Sequence, residues 1–192
     1  MSDKETTLTL SELARRLDSA GVTWAVFAGA AAAVYGANRP LTDMDILIPA
    51  TEGERVAGLF PEAQVKRRED GTVHMLTLPD FDLVAGLMWC DGGVDHPVDL
   101  DAAMAARLTR HEIAGVVVPV IPPEDNVLIK AVWGRGPEVG KHDLEDVREM
   151  VAHLPALDWE YVHWRAGVFG AGQRVQQALD YLDVLRRTEN AA

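Results

Sequence analysis

Apolar positions near the start of the chain recur at helical spacing. In SELARRLDSA, residues 11–20, Leu13, Ala14 and Leu17 share one face, with Ser11 as the expected N-cap and Gly21 as the stop. The period then shortens. VTWAVFA, 22–28, is a continuous apolar run rich in β-branched and aromatic residues and predicts a buried strand, and GAAAAVYG predicts a short helix opening at Gly29. DMDILIP, 43–49, alternates acidic with apolar residues and then turns wholly apolar, as a strand leaving the surface for the core does. TEGERVAGLF, 51–60, predicts a surface helix. The runs GTVHMLTL, 71–78, and FDLVAGLM, 81–88, separated by Pro79 and Asp80 alone, predict an antiparallel hairpin, and HEIAGVVVPVI, 111–121, a second one turning near Gly115. Beyond Pro122 and Pro123 the pattern is helical: EDNVLIKAVWGR, HDLEDVREMVAHL, WEYVHWRAGVF and QRVQQALDYLDVLRR. The expected class is α/β (α+β), with a sheet-bearing core over residues 1–121 and a helical C-terminal lobe over 122–192.

Charge narrows the range of partners. Eighteen basic against thirty acidic residues leave a formal net charge of −12, which repels extended duplex nucleic acid but leaves room for a small ligand, a cation above all, or a short RNA end delivered to one pocket. No apolar run reaches the roughly 20 residues of a membrane span, and the polar start MSDKETTLTL does not resemble a signal peptide, so a cytoplasmic protein without membrane contact is expected. The single cysteine, Cys90, rules out a disulfide framework and is expected to fill the core beside Trp89. The six histidines show no metal-ligand spacing. Trp159, Tyr161 and Trp164 are expected to pack on the core, or, if they face a cleft, to shape an acceptor pocket.

The acidic pair carries the chemistry. Side chains of a strand alternate, so Asp43 and Asp45 project from one face with α-carbons roughly 6.5–7 Å apart. Two carboxylates there repel each other, and a hard divalent cation, magnesium (or manganese), is the natural compensation; a pair of solvated carboxylates is the alternative. Just upstream, Gly29 at a strand-to-helix turn lets the backbone approach a ligand, and the first amides of the following helix present a positive dipole end to a phosphate; a tight turn that only packs on the sheet is the alternative. Arg39, Thr42, Asp43 and Asp45 follow within one compact stretch. Donors for a triphosphate and a seat for its metal together point to nucleotide chemistry.

The stretch AGAAAAVYGANRPLTDMDILI resembles the first motif of the polymerase-β-like nucleotidyltransferase superfamily, a glycine turn about a dozen residues ahead of an Asp-x-Asp strand. Its Tyr-Gly-x-x-Arg-x-x-Thr-Asp-x-Asp portion is similar to the small prokaryotic branch that includes the abortive-infection toxin nucleotidyltransferases. Lys130 followed by KHDLEDV, 141–147, extends the resemblance to roughly residues 22–150.

The resemblance implies the nucleotidyltransferase fold, a mixed sheet flanked by helices, and transfer of a nucleoside monophosphate from a triphosphate such as ATP to a hydroxyl with release of pyrophosphate. It implies metal held by Asp43, Asp45 and a third carboxylate, Asp82, with Asp99 or Asp101 in reserve. Asp82 would touch the attacking hydroxyl. Gly29, Ala30, Arg39, Thr42 and Lys130 are the expected nucleotide contacts, although Arg39 as a helix cap and Lys130 snorkelling from an amphipathic helix are equally good readings. Asp143 and Asp146 share a helix face and can pair with Lys130 or Arg135, or serve as N-terminal helix charges. The acceptor is a small molecule or an RNA end, and the toxin-like branch implies an antitoxin partner. Ala30 departs from the glycine or serine usual at that position. A catalytically inactive nucleotide-binding or partner-binding module on the same fold is therefore the competing reading.

Overall fold

A computed structural model describes residues 8–38, 43–91, 93–154 and 156–189. Helix α1 (Leu10–Ser19) buries Leu10, Leu13, Ala14 and Leu17. Its cap is Thr9, whose hydroxyl accepts from the Glu12 amide at 3.2 Å; Ser11 lies inside the helix, because Leu10 also belongs to the buried face and draws the start back. The chain then runs through β1 (Ala25–Phe27), α2 (Ala28–Val34), β2 (Met44–Ile48), α3 (Gly53–Leu59), β3 (Gln64–Arg67), β4 (Val73–Leu78) and β5 (Phe81–Ala85). It continues through β6 (Leu87–Asp91), β7 (Val94–Val98), α4 (Ala102–Ala105), β8 (Thr109–Ile113) and β9 (Val116–Val120), and ends in α5 (Pro123–Trp133), α6 (Asp143–His153), α7 (Trp159–Phe169) and α8 (Gln173–Glu189).

Seven strands form one mixed sheet in the order β3-β4-β5-β2-β1-β9-β8. The β1–β9 and β2–β5 pairs are parallel and the rest antiparallel. Both expected hairpins are present. FDLVAGLM, however, is not one strand: Gly86 takes a left-handed φ of +68° and sends β6 out of the main sheet to pair with β7. The sequence triplet DGG, 91–93, is a turn signal between the two strands, whereas β3, with every side chain exposed, has no apolar pattern to reveal it.

Helix α5 is buried from Glu124 to Val132 and contacts α2, α6, α7 and α8. Its polar residues are tolerated inside because each has a partner. Glu124 accepts from the Asp158 amide at 3.0 Å, and Asp125 accepts from the Tyr161 hydroxyl at 2.9 Å and from Arg165 at 2.6 Å. Arg165, itself 1% exposed, also pairs with Asp101, which ties α7 to the cap of α4. Two packing expectations fail. Trp164 is 52% exposed, since it lies on the face of α7 opposite the buried Val162 and Arg165–Ala166. Cys90 is exposed, because strand alternation gives the buried place on β6 to Trp89. Among the described residues, no helix is long and apolar enough to cross a membrane.

Candidate active site

Strand register assembles the acidic cluster. Phe27 of β1 lies opposite Asp45, Asp45 lies opposite Asp82 across the parallel β2–β5 pair, and Asp82 lies opposite Thr77 of β4. Register partners project from the same face, so these four side chains form a row across four strands. Asp43 sits two residues ahead of Asp45 at the exposed bend leading into β2. The reserve acids are engaged elsewhere: Asp99 Oδ1 accepts from the amides of Ala50 and Leu100, and Asp101 caps α4.

The cluster is electrostatically loaded. Burial pushes the Asp45 carboxyl up to about 6, the charges of Asp43 and Asp82 push the same way, and Lys141 and Lys130 oppose them. Asp82 Oδ1 and Thr77 Oγ1 are both buried without a hydrogen-bond partner among the described residues. Among the described residues, no three His, Cys, Asp or Glu side chains close around one point as a ready-made metal cage. Asp43 stands at the exposed mouth while Asp45 and Asp82 are half-buried below it. The donor set nevertheless fits magnesium. It is all oxygen, one buried carboxylate oxygen has no hydrogen-bond partner among the described residues, and magnesium keeps several waters and is usually bound by one or two carboxylates together with substrate phosphates.

Beside the acids, the turn from β1 into α2 differs from the expected glycine bend. The left-handed residue is Ala28, with φ +54°, and Gly29 already lies inside the helix. A non-glycine residue held there is strained, and its surroundings must hold it in place. Asn126, fully buried on α5, does part of this by donating from Nδ2 to the Ala28 carbonyl at 3.1 Å. Among the described residues no side chain caps α2, whose first amides include those of Gly29 and Ala30. Ala30 is 1% exposed.

Lys130 does not snorkel. It is 1% exposed, donates to Asp143 Oδ1 at 3.1 Å and lies 2.7 Å from Asp146 Oδ2, while Arg135 Nε donates to Asp143 at 2.7 Å. The Lys130 charge still reaches Asp45. Arg39 and Thr42 lie outside the described residues. Sequence reasoning missed Thr77, although the two-residue turn at Pro79 and Asp80 fixes its register with Asp82. It also missed Asn126 and Lys141, for which no local pattern gives a signal.

The family model of an uncharacterised nucleotidyltransferase matches residues 2–186. The chain belongs to that family. Among solved structures, this nucleotidyltransferase is similar to the antibiotic-resistance factor ANT(2″)-Ia in solution, at 14% identity over 92% of this chain and 86% of that one, with a TM-score of 0.53. It is equally similar to ANT(2″)-Ia in complex with adenylyl-2″-tobramycin, at 14% identity over 92% of each chain and a TM-score of 0.53. A nucleotidyltransferase-class protein of Thermotoga maritima, TM1012, matches at 18% identity over 71% of this chain and 93% of that one, with a TM-score of 0.50. At these identities the likeness establishes the fold, which is that of the nucleotidyltransferases. No curated protein sequence matches the chain.

Proposed function

We propose that this nucleotidyltransferase moves a nucleoside monophosphate from a nucleoside triphosphate to a hydroxyl acceptor, with a divalent metal at Asp43, Asp45 and Asp82. The observation that carries the reading is the Asp45–Asp82 register pair, two half-buried carboxyl groups side by side, with the Asp45 carboxyl raised first by burial and then by the charges of Asp43 and Asp82. Magnesium, when bound there, would supply positive charge to the phosphate oxygens and the attacking oxygen. Asp82 Oδ1, buried and without a hydrogen-bond partner among the described residues, takes the proton of the acceptor hydroxyl in this reading. That oxygen then forms its bond to the α-phosphorus as the bond from the α-phosphorus to the bridging oxygen breaks, and pyrophosphate leaves with the bond pair. The amides of Gly29 and Ala30 at the uncapped start of α2 hold phosphate oxygens. Arg39 and Thr42, on the segment leading to Asp43, and Lys130, through its field, complete the binding of the triphosphate.

Ala30 does not favour the inactive reading, because a phosphate held by backbone amides does not need a hydroxyl at that position. The test is calorimetric titration with each triphosphate and magnesium, followed by a pyrophosphate-release assay on wild type and Asp45→Ala. Release by the wild type alone supports the enzyme. Binding without release by either protein would establish the inactive module instead.

A further inference from the structure

A cleft of about 360 Å³ opens between the last turn of α5 and the first turns of α8, with Trp133, Gly134, Leu144, Arg174, Gln177 and Tyr181 on its walls. In a chain carrying a net charge of −12, none of its lining residues is acidic. Its one charged wall residue, Arg174, is exposed and makes no ion pair among the described residues. Two more guanidinium groups touch its aromatic walls: Arg135 lies over the Trp133 ring at 4.3 Å, and Arg148 donates to the Tyr181 hydroxyl at 3.0 Å. The lining of the cleft thus carries one basic and no acidic side chain on an otherwise acidic chain.

It is also built into the fold and linked to the acidic row. The β6–β7 hairpin fixes the start of α8: Asp91 Oδ2 accepts from the Arg174 amide at 2.9 Å, and the Asp91 and His96 side chains fill the space that a Cβ would take at Gly172 and Gly170. At the other wall, the Trp133 ring lies 6.4 Å from that of Phe27, the register partner of Asp45.

We infer that this cleft binds a nucleotide, an aromatic base with an adjoining phosphate, and not a cationic sugar. Two aromatic rings supply stacking surface, the Gln177 carboxamide supplies a donor and an acceptor for a base edge, and Arg174 supplies the phosphate contact. The base belongs either to the triphosphate donor or to a nucleotide-ended acceptor such as an RNA terminus. As a statement about substrate class, the inference rests on the proposed transfer reaction.

The probe is 5′-AMP, titrated into the full chain without divalent metal so that neither turnover nor the acidic cluster is required. AMP is expected to bind, and Arg174→Glu to weaken it at least about 10-fold at an unchanged melting temperature. Gln177→Glu, one helical turn along, keeps the arginine in the chain but sets a negative charge at i,i+3 from it, where it can pair with the guanidinium, and is expected to act likewise. AMP affinity unchanged in both variants, or tobramycin bound more tightly than AMP by the wild type, would overturn the inference. Repeating the titration with a saturating non-hydrolysable triphosphate and magnesium identifies the source: retained AMP binding gives the cleft to the acceptor, and lost binding gives it to the donor base. Pyrophosphate release that depends on Asp45 while AMP ignores Arg174→Glu sinks the cleft alone; the converse sinks the reaction and leaves the cleft.

Discussion

Asp45 and Asp82 lie directly opposite one another on neighbouring parallel strands, each half-buried on the same face of the sheet. Nothing in folding favours such a neighbour pair, because burial and mutual repulsion both disfavour the charged forms. A site that stores like charge in this way gives up stability for a ligand that neutralises it.

Removing one of the two charges should therefore separate stability from activity. Asp45→Asn is expected to reduce pyrophosphate release by about 10²–10³-fold while the metal-free protein melts no lower than wild type, and even higher. Parallel assays of release and thermal melting in EDTA check this. A variant that loses activity only because it unfolds would contradict it.

The same pair sets a pH dependence. The folded-state pKa of Asp45, about 6, lies above the ordinary value of 3.8, so its contribution to stability is fully present below 3.8 and is lost as the pH rises through about 6. In EDTA, the melting-temperature gap between Asp45→Asn and wild type should open between pH 4 and 6 and then level off. Each 1 kcal/mol corresponds to about 2–4 °C in a chain of this size. Added magnesium should close the gap at pH 7.

Asp143 behaves in the opposite sense. Burial alone would raise its carboxyl, but the hydrogen bond from Arg135 and the charge of Lys130 outweigh it and hold the group below its usual value. Its stabilising contribution is present above the ordinary carboxylate pKa and lost as the pH falls through the lowered one. Lys130→Met leaves two buried carboxylates without their shared cation and should destabilise the protein by about 3–5 kcal/mol in denaturant titrations. Adding Asp143→Asn and Asp146→Asn should recover part of that loss.

The strained turn offers a further check. Asn126→Ala removes the donor that holds the Ala28 carbonyl and should cost about 1–3 kcal/mol of stability. If the turn seats the triphosphate, the KM for the nucleotide should rise along with that loss. An unchanged KM in a destabilised protein would show that Asn126 serves only the fold.

The sequence by itself determined the elements whose evidence is local. The period of α1, the switch to helices after Pro122, both hairpins, and the Asp43–Asp45 pair at the mouth of a buried strand follow from spacing that neighbouring residues impose on one another. Tertiary structure decided what depends on residues far apart in the chain. The parallel β2–β5 register that brings Asp82 beside Asp45 spans a long connection, which no local pattern encodes. The same holds for the Asn126 bond to Ala28, for Lys130 drawn inward by Asp143 and Asp146, and for an acid-free cleft walled by helices some forty residues apart. In each case the controlling quantity is the cost of burying a polar or charged group, which is fixed only once its partners are in place.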